Sequence, residues 1–274
     1  MDDEAGVFDR LNPIQVTNET SVTGLRVLEN YRYRWLESAD GIVHSAIDKS
    51  RPDALLLPYT RWMLWPALFI SRPHRALCLG LGAGSLPRFL SPWCATHCVD
   101  HDPDVIHWSR AHFNLPATVS TYAADARDAV RAEQTPGFDW VFCDVFDSMG
   151  VPDWLGNIAF QDACQAALKP GGVVVVNVSA HDQDIVQHVL HAMTDAADGP
   201  VMDLAVPQTA NLVIAAFSNS LPEIRRSTLD DRATTLEVAL NLPFSQMAHA
   251  LYHRYGTRGF LRFQSQARQR FLPR

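Results

Sequence analysis

Long apolar runs are missing from this chain. The longest, Trp62 to Ile70, is far short of the 20 or so residues a membrane-crossing helix needs, so no membrane partner is expected. The opening Met1-Asp-Asp-Glu-Ala5 offers neither the basic nor the apolar stretch of a secretion signal, and a cytoplasmic location is expected. Cysteines are few and odd in number, at five, which argues against a disulfide scaffold. Cys78 and Cys143 sit in strand-like runs, where cysteine behaves as a small apolar residue. Cys94 and Cys98 form the one close pair, with no second pair or histidine cluster beside them. The eleven histidines are scattered and none forms His-Glu-x-x-His, so no metal is expected. A net charge of -7 disfavours polyanionic partners such as nucleic acid and tolerates a cationic substrate. What remains is ordinary: 274 residues, 47% apolar, enough for one large α/β domain with an appendage.

The informative stretch is Arg75-Ala-Leu-Cys-Leu-Gly-Leu-Gly-Ala-Gly84, followed by an amphipathic segment and then Cys98-Val-Asp-His-Asp-Pro103. An apolar strand breaks into glycines and turns into a helix, and a second strand ends in Asp100, twenty residues after Gly80. Glycines let a backbone pass close to a ligand, and an acid at the tip of the second strand can hold ribose hydroxyls. Spacing decides between nucleosides. Gly80, Gly82 and Gly84 alternate, and Ser85 stands where a dinucleotide fold has its third glycine, under a pyrophosphate. No Gly-Lys-Ser/Thr follows for a triphosphate. A nucleoside without phosphates, as in S-adenosylmethionine (AdoMet), fits better than NAD, and an NAD-dependent oxidoreductase is the weaker reading.

Residues 1–56 read as a small β domain, with runs at Leu25–Leu28, Tyr33–Leu36 and Ile42–Ile47 and a turn at Asp40-Gly41. Pro58 opens a helix that Pro66 should kink or end. The stretch 57–220 alternates strand and helix. Strands fall at 75–80, 96–100, 118–122, 138–143 and 173–177, and helices at 84–90, 107–113, 160–168 and 182–194. Lys169-Pro-Gly-Gly172 is a turn, and 201–206 with 211–217 close the sheet. All-apolar strands imply burial on both faces, hence a mostly parallel sheet between helices. Residues 221–274 read as a helical extension. Its last two dozen residues carry six arginines and no acid, with Tyr252, Tyr255, Phe260 and Phe263 among them, which suits a solvated or intersubunit helix better than a nucleic-acid surface.

Ligands of open α/β sheets bind beyond the carboxyl ends of the strands. Asp100, Asp125, Asp144 and Asp147 fall on that rim. Asp100 suits ribose, while Asp125 and the backbone of Ala126 suit an adenine edge. Asp144 and Asp147 lie three apart, able to face one ligand atom, and two such acids would repel unless a bound cation offset them.

These motifs together, with Asp144-Val-Phe-Asp147 and Leu168-Lys-Pro-Gly-Gly172, resemble the AdoMet-dependent methyltransferase fold, and the spermidine synthase branch most. His44-Ser-Ala-Ile47 followed by Pro58-Tyr-Thr-Arg-Trp-Met63 is similar to that branch's substrate-side segment. The resemblance covers residues 20 to 220 and implies a Rossmann-like, mostly parallel seven-stranded sheet of order 3-2-1-4-5-7-6, its last strand antiparallel, and a homodimer. It also implies a transferase moving an aminopropyl or methyl group from decarboxylated AdoMet or AdoMet to a small amine. A nucleoside-binding protein without turnover is the alternative. By the same resemblance Gly80, Gly82, Ala83, Gly84, Asp100, His101, Asp125 and Ala126 bind the donor, Asp147 takes the proton, Asp144 holds the amine's charge, and Tyr59 and His44 line the acceptor pocket. Transfer from a sulfonium is an in-line displacement, so alignment of the partners is the main task; a nearby carboxylate attracts the protonated amine and accepts its proton. The chain departs from the branch at four places. Ala83 replaces an acid that meets an aminopropyl ammonium and would repel the carboxylate of intact AdoMet. Ser148-Met149 replaces Asp-Pro, His44 replaces glutamine, and Leu56-Leu57 replaces an acidic pair.

Overall fold

Short alternating runs broken by turn residues build the first layer. In the computed structural model, which describes residues 10, 12–132, 137–147, 150–261 and 263, strands β1 (Ile14–Gln15), β2 (Arg26–Glu29), β3 (Tyr33–Glu37) and β4 (Val43–Asp48) form one antiparallel sheet in that order. Gly41, at φ +84°, turns β3 into β4. Pro58 then opens helix α1 (Pro58–Trp62), and Pro66 falls in a separate 3-10 turn, Trp65–Leu68, so the helix ends before it.

The alternating elements that follow are β5 (Arg75–Leu79), α2 (Ser85–Leu90), β6 (Ala95–Asp100), α3 (Pro103–Ala111), β7 (Ser120–Ala123), α4 (Ala126–Ala132), β8 (Phe138–Cys143), α5 (Ile158–Ala166), β9 (Leu168–Ser179), α6 (Gln183–Ala196), β10 (Val201–Ala205) and β11 (Asn211–Phe217). The strands make a seven-stranded sheet of order β10-β11-β9-β8-β5-β6-β7, parallel except for β11, which runs antiparallel to β9 and to β10. Counted within the sheet, this is the 3-2-1-4-5-7-6 order of the methyltransferase fold.

Neighbouring residues on β5 show why the strands are apolar throughout. Cys78 packs with Trp65, Trp140 and Val175 on one face, while Leu77 packs with Val141, Val174 and the helices α5 and α6 on the other. Each such side chain contributes about 1.5–3 kcal/mol on burial. All five cysteines are buried, and Cys78 lies opposite Cys98 across the β5–β6 pairing.

Several expectations are corrected. The helix expected from His107 begins at Pro103 because Asp102 accepts the backbone N–H groups of Asp104 and Val105 as its cap. Asn157 starts α5 in the same way, at Ile158 rather than Phe160. The turn expected at Lys169–Gly172 lies inside β9 as an irregularity of its pairing with β8; Gly171 takes φ +82°, and a Cβ on Gly172 would lie 2.6 Å from the Asp139 carbonyl. After residue 221 the chain is not only helical. Helices α7 (Arg226–Leu240) and α8 (Phe244–Tyr255) are flanked by short strands, β12 (Ile224–Arg225) before them and β13 (Gly256–Thr257) and β14 (Phe260–Leu261) after, which pair in one sheet. Leu229, Phe244 and Leu251 enter the same core as Trp35 and Phe217. Tyr252, Tyr255 and Phe263 pack against it, and the Tyr255 hydroxyl donates to Asp203 at 2.7 Å. These aromatics therefore serve packing. The rest of the arginine-rich end, Arg262 and 264–274, lies outside the described residues. Among the described residues no helix is long and apolar enough to cross a membrane.

Candidate active site

Three strand ends are stitched together where the glycine loop leaves the sheet. Gly80 N donates to the Val99 carbonyl and Asp144 N to the Leu79 carbonyl, both at 2.9 Å. Only glycine fits position 80: φ is +90°, and a Cβ would stand 2.1 Å from the Asp144 carbonyl oxygen. Gly80→Ala should therefore lower stability by about 2–3 kcal/mol, a drop of about 4–12 °C in the melting temperature. An unchanged melt would show that the loop relaxes freely. A Cβ on Gly82 would lie 3.1 Å from the Ser45 Cβ, so β4 of the first sheet presses directly on the loop.

Asp100 locks this turn. Its Oδ2 accepts Leu81 N–H at 2.9 Å and its Oδ1 accepts Asp102 N–H at 3.0 Å, leaving further lone pairs on both oxygens. Burial pushes its carboxyl upward. His101, exposed, brings Nδ1 to 3.8 Å from Asp100. Asp125 opens α4, its carbonyl accepting Asp128 N and Ala129 N. Its carboxylate takes Arg127 Nε at 2.9 Å and Nη2 at 2.6 Å, and these bonds hold it at about 2. Arg127 in turn lies over the Trp154 ring. Ala126, beside Asp125, is buried.

Asp144, at the end of β8, is half-buried. It accepts Asn177 Nδ2 at 2.9 Å and bonds the Tyr59 hydroxyl, and burial pushes it up to about 6. Asn177 Oδ1 accepts Asn211 Nδ2 at 3.1 Å, so a neutral chain of amides backs the carboxylate. The His44 carbonyl, 3.3 Å from the Tyr59 hydroxyl, is the alternative acceptor for its one proton. His44, Tyr59, Asp144 and Gly80 thus come together at one place. Asp147 does not join them from within: it is exposed, on a turn closed by mutual backbone bonds with Gly150. Its neighbours Ser148 and Met149 lie outside the described residues.

Ala83 is a correction. It was expected to face the donor, but its methyl is fully buried among Val27, Leu36, Ile47, Val105, Trp108 and Phe113. The left-handed backbone at Gly82 and Gly84, at φ +53° and +70°, turns the residue between them into the space under the first sheet.

No protein-family model matches the chain. It is 29% identical over 233 residues to a polyamine aminopropyltransferase of Chromobacterium violaceum, covering 83% of this chain and 88% of that one. A probable spermidine synthase from Corynebacterium glutamicum superposes with a TM-score of 0.66 at 19% identity, over 95% of this chain and 99% of the other. The chain has the spermidine synthase-like methyltransferase fold. Human methyltransferase-like protein 13, solved in complex with SAH, shares that fold at a TM-score of 0.58 and 21% identity, over 68% of this chain and 91% of its own.

In this spermidine synthase-like chain, three residues near the site went unnoticed in the sequence. Asn177 was visible as the polar break in Val173–Val178, but its partners Asp144 and Asn211 come from other strands. Arg88, almost wholly buried, donates Nε to Pro52 O at 2.6 Å and Nη1 to Ala83 O at 3.0 Å and Phe113 O at 2.6 Å. It ties the glycine loop to two other segments, and burial pushes it down to about 10.

Proposed function

We propose that this chain is a transferase that moves an alkyl group, aminopropyl or methyl, from a sulfonium donor of the AdoMet type to a small amine. One observation carries the reading. A loop built for close backbone approach, pinned by Asp100, meets a half-buried carboxylate, Asp144, flanked by Tyr59. The similarity to polyamine aminopropyltransferases supports the same chemistry.

In this reading Asp100 offers its remaining lone pairs to ribose hydroxyls, with His101 beside it. The loop of Gly80, Gly82 and Gly84 passes under the nucleoside, and the backbone of Ala126 with Asp125 borders the adenine. Arg127 already engages both Asp125 oxygens, so adenine recognition there works through the lone pairs left over or through displacement of the guanidinium. Asp144 holds the charge of the amine, Asp147 takes its proton, and Tyr59 and His44 border the acceptor. The nucleoside donor is the group that supplies the reactive carbon; the protein's part is to align the two partners and remove one proton. Residues 1–56, 57–220 and 221–274 are read as its three units, in a cytoplasmic homodimer that light scattering of the purified chain checks.

The test is calorimetry with methylthioadenosine, AdoMet and decarboxylated AdoMet, followed by nucleoside-product assays with either donor. Asp100→Ala should weaken methylthioadenosine binding by about 1.5–3 kcal/mol, the scale of a charge-assisted hydrogen bond. Equal affinity in that variant would remove Asp100 from the nucleoside site.

A further inference from the structure

The inner part of the acceptor side carries a single charge. Asp144 is bonded by Asn177 and Tyr59 and raised by burial, and no charged neighbour acts on it. Behind Asn177 stands neutral Asn211, and Leu56 and Leu57, just before Tyr59 in the chain, are buried apolar side chains. Among the described residues no second carboxylate is bonded to Asn177 or Asn211. A second ammonium placed there would lose its water against neutral groups, which is unfavourable without a counter-charge.

His44 supplies something else. Its Nε2 lies 3.0 Å from Ser38 Oγ, and Ser38 Oγ donates to Asp40 Oδ1 at 2.5 Å, with a longer alternative to Ile42 O at 3.4 Å. A hydroxyl has one proton, and the shorter bond to a carboxylate takes it. Ser38 can then only accept from the ring, so Nε2 carries the hydrogen and Nδ1 is left as a bare acceptor. Burial favours the neutral ring that this arrangement requires. Among the described residues no group donates to Nδ1, and Nδ1 is not sealed from solvent. The Tyr59 hydroxyl bonds Asp144 and lies 3.3 Å from the His44 backbone carbonyl, so the backbone that carries the ring borders the carboxylate.

We propose that the acceptor is a small amine with one cationic centre and an uncharged hydrogen-bond donor, its ammonium held by Asp144 and its donor group read by His44 Nδ1. This rests on the amine-transfer reading above and narrows its substrate class, away from diamines and towards amino alcohols and their like. Asp40 bonds Ser38 and also acts on the ring through its charge; held by Ser38 and Ile42 on the turn, it serves to orient His44.

The experiment compares three acceptors of matched length, 4-aminobutan-1-ol, 1,4-diaminobutane and 1-aminobutane, titrated by calorimetry into protein saturated with methylthioadenosine. The amino alcohol should bind at least tenfold more tightly than the diamine and more tightly than the monoamine. His44→Leu should erase its advantage over 1-aminobutane, whereas His44→Gln, which keeps a neutral acceptor, should retain most of it; melting curves of both variants check that they fold. A diamine that binds more tightly than the amino alcohol overturns the inference, as does an unchanged order of affinities in His44→Leu. If the diamine wins and is also turned over, the transfer reading stands and only this inference falls. If methylthioadenosine binds and none of the three amines does, both fall.

Discussion

Asp147→Asn should slow product formation by roughly 10²–10⁴, the range for loss of a general base, while methylthioadenosine affinity stays constant. Asparagine keeps the size and hydrogen bonding of the side chain, and the turn at Asp147 is closed by backbone groups, Asp147 N to Gly150 O and Gly150 N to Asp147 O, which the substitution does not touch. Asp144→Asn makes the contrast. Asp144 is raised to about 6, so in the free protein it gains the charge needed to hold an ammonium only as pH rises through about 6. The kcat/KM profile should climb through that pH in the native protein and in Asp147→Asn, and lose that limb in Asp144→Asn. The same residue affects folding. An aspartate unperturbed near 3.9 when unfolded, and raised to about 6 when folded, leaves stability highest below about pH 4 and reduces it as pH climbs to about 6, after which the cost is constant. Asp144→Asn should then raise the melting temperature at pH 7–8, by about 6–12 °C for a cost of about 3 kcal/mol, and change little below pH 4. Native turnover in Asp147→Asn would make Asp147 a turn residue and move the base elsewhere; a lower melt in Asp144→Asn at pH 8 would mean that Asp144 is not strained by its burial.

Ala83→Asp is expected to fail as a donor switch and to act on folding instead. An acid at this position would, by resemblance alone, choose between donors with and without a carboxylate. The methyl of Ala83, however, is enclosed by Val27, Leu36, Ile47, Val105, Trp108 and Phe113, with no exposed surface. A carboxylate there displaces close-packed apolar groups, and pairing with the buried Arg88, which already bonds the Ala83 carbonyl, offsets only part of a change worth about 3–5 kcal/mol. For a chain of this size that is a fall of about 6–20 °C in the melting temperature. Circular dichroism melts read this directly. A variant that melts like the native protein while reversing the order of AdoMet and decarboxylated AdoMet in calorimetry would show that position 83 faces the donor after all.

The difference between these two residues marks where sequence stops being legible. The parallel strands could be read because burial on both faces leaves an unmistakable apolar run, as in Phe138–Cys143 or Val173–Val176. Gly80 and Asp100 could be paired because a strand-turn-helix-strand unit fixes their separation whatever surrounds it. The direction of the Ala83 side chain could not be read, since it depends on the left-handed backbone of its two glycine neighbours and on a sheet fifty residues earlier. Asn177 and Asn211 needed the antiparallel pairing of β9 with β11, which sets Asn211 opposite Ser179 and brings the two amides together. The two-residue strands β1, β12, β13 and β14 are too short to carry any period, so nothing in their residues announced them. Asp102 is illegible for a different reason. It lies two residues beyond Asp100 in a motif that reads as ligand-binding, yet its side chain starts α3 and also bonds Thr23 in the turn before β2.

The five enclosed cysteines make the protein chemically silent to thiol reagents in its folded form. A thiol attacks only as thiolate, and burial opposes that form: Cys94 is pushed up to about 12, and Cys78 and Cys164 are raised as well. Alkylation must then wait for the chain to open, so its rate is a clock on opening, slowed by any ligand that binds the closed state. The silence is also an opportunity for spectroscopy. One cysteine introduced on an exposed position such as Val238 would be the sole reactive thiol, ready for a probe without any native cysteine being removed.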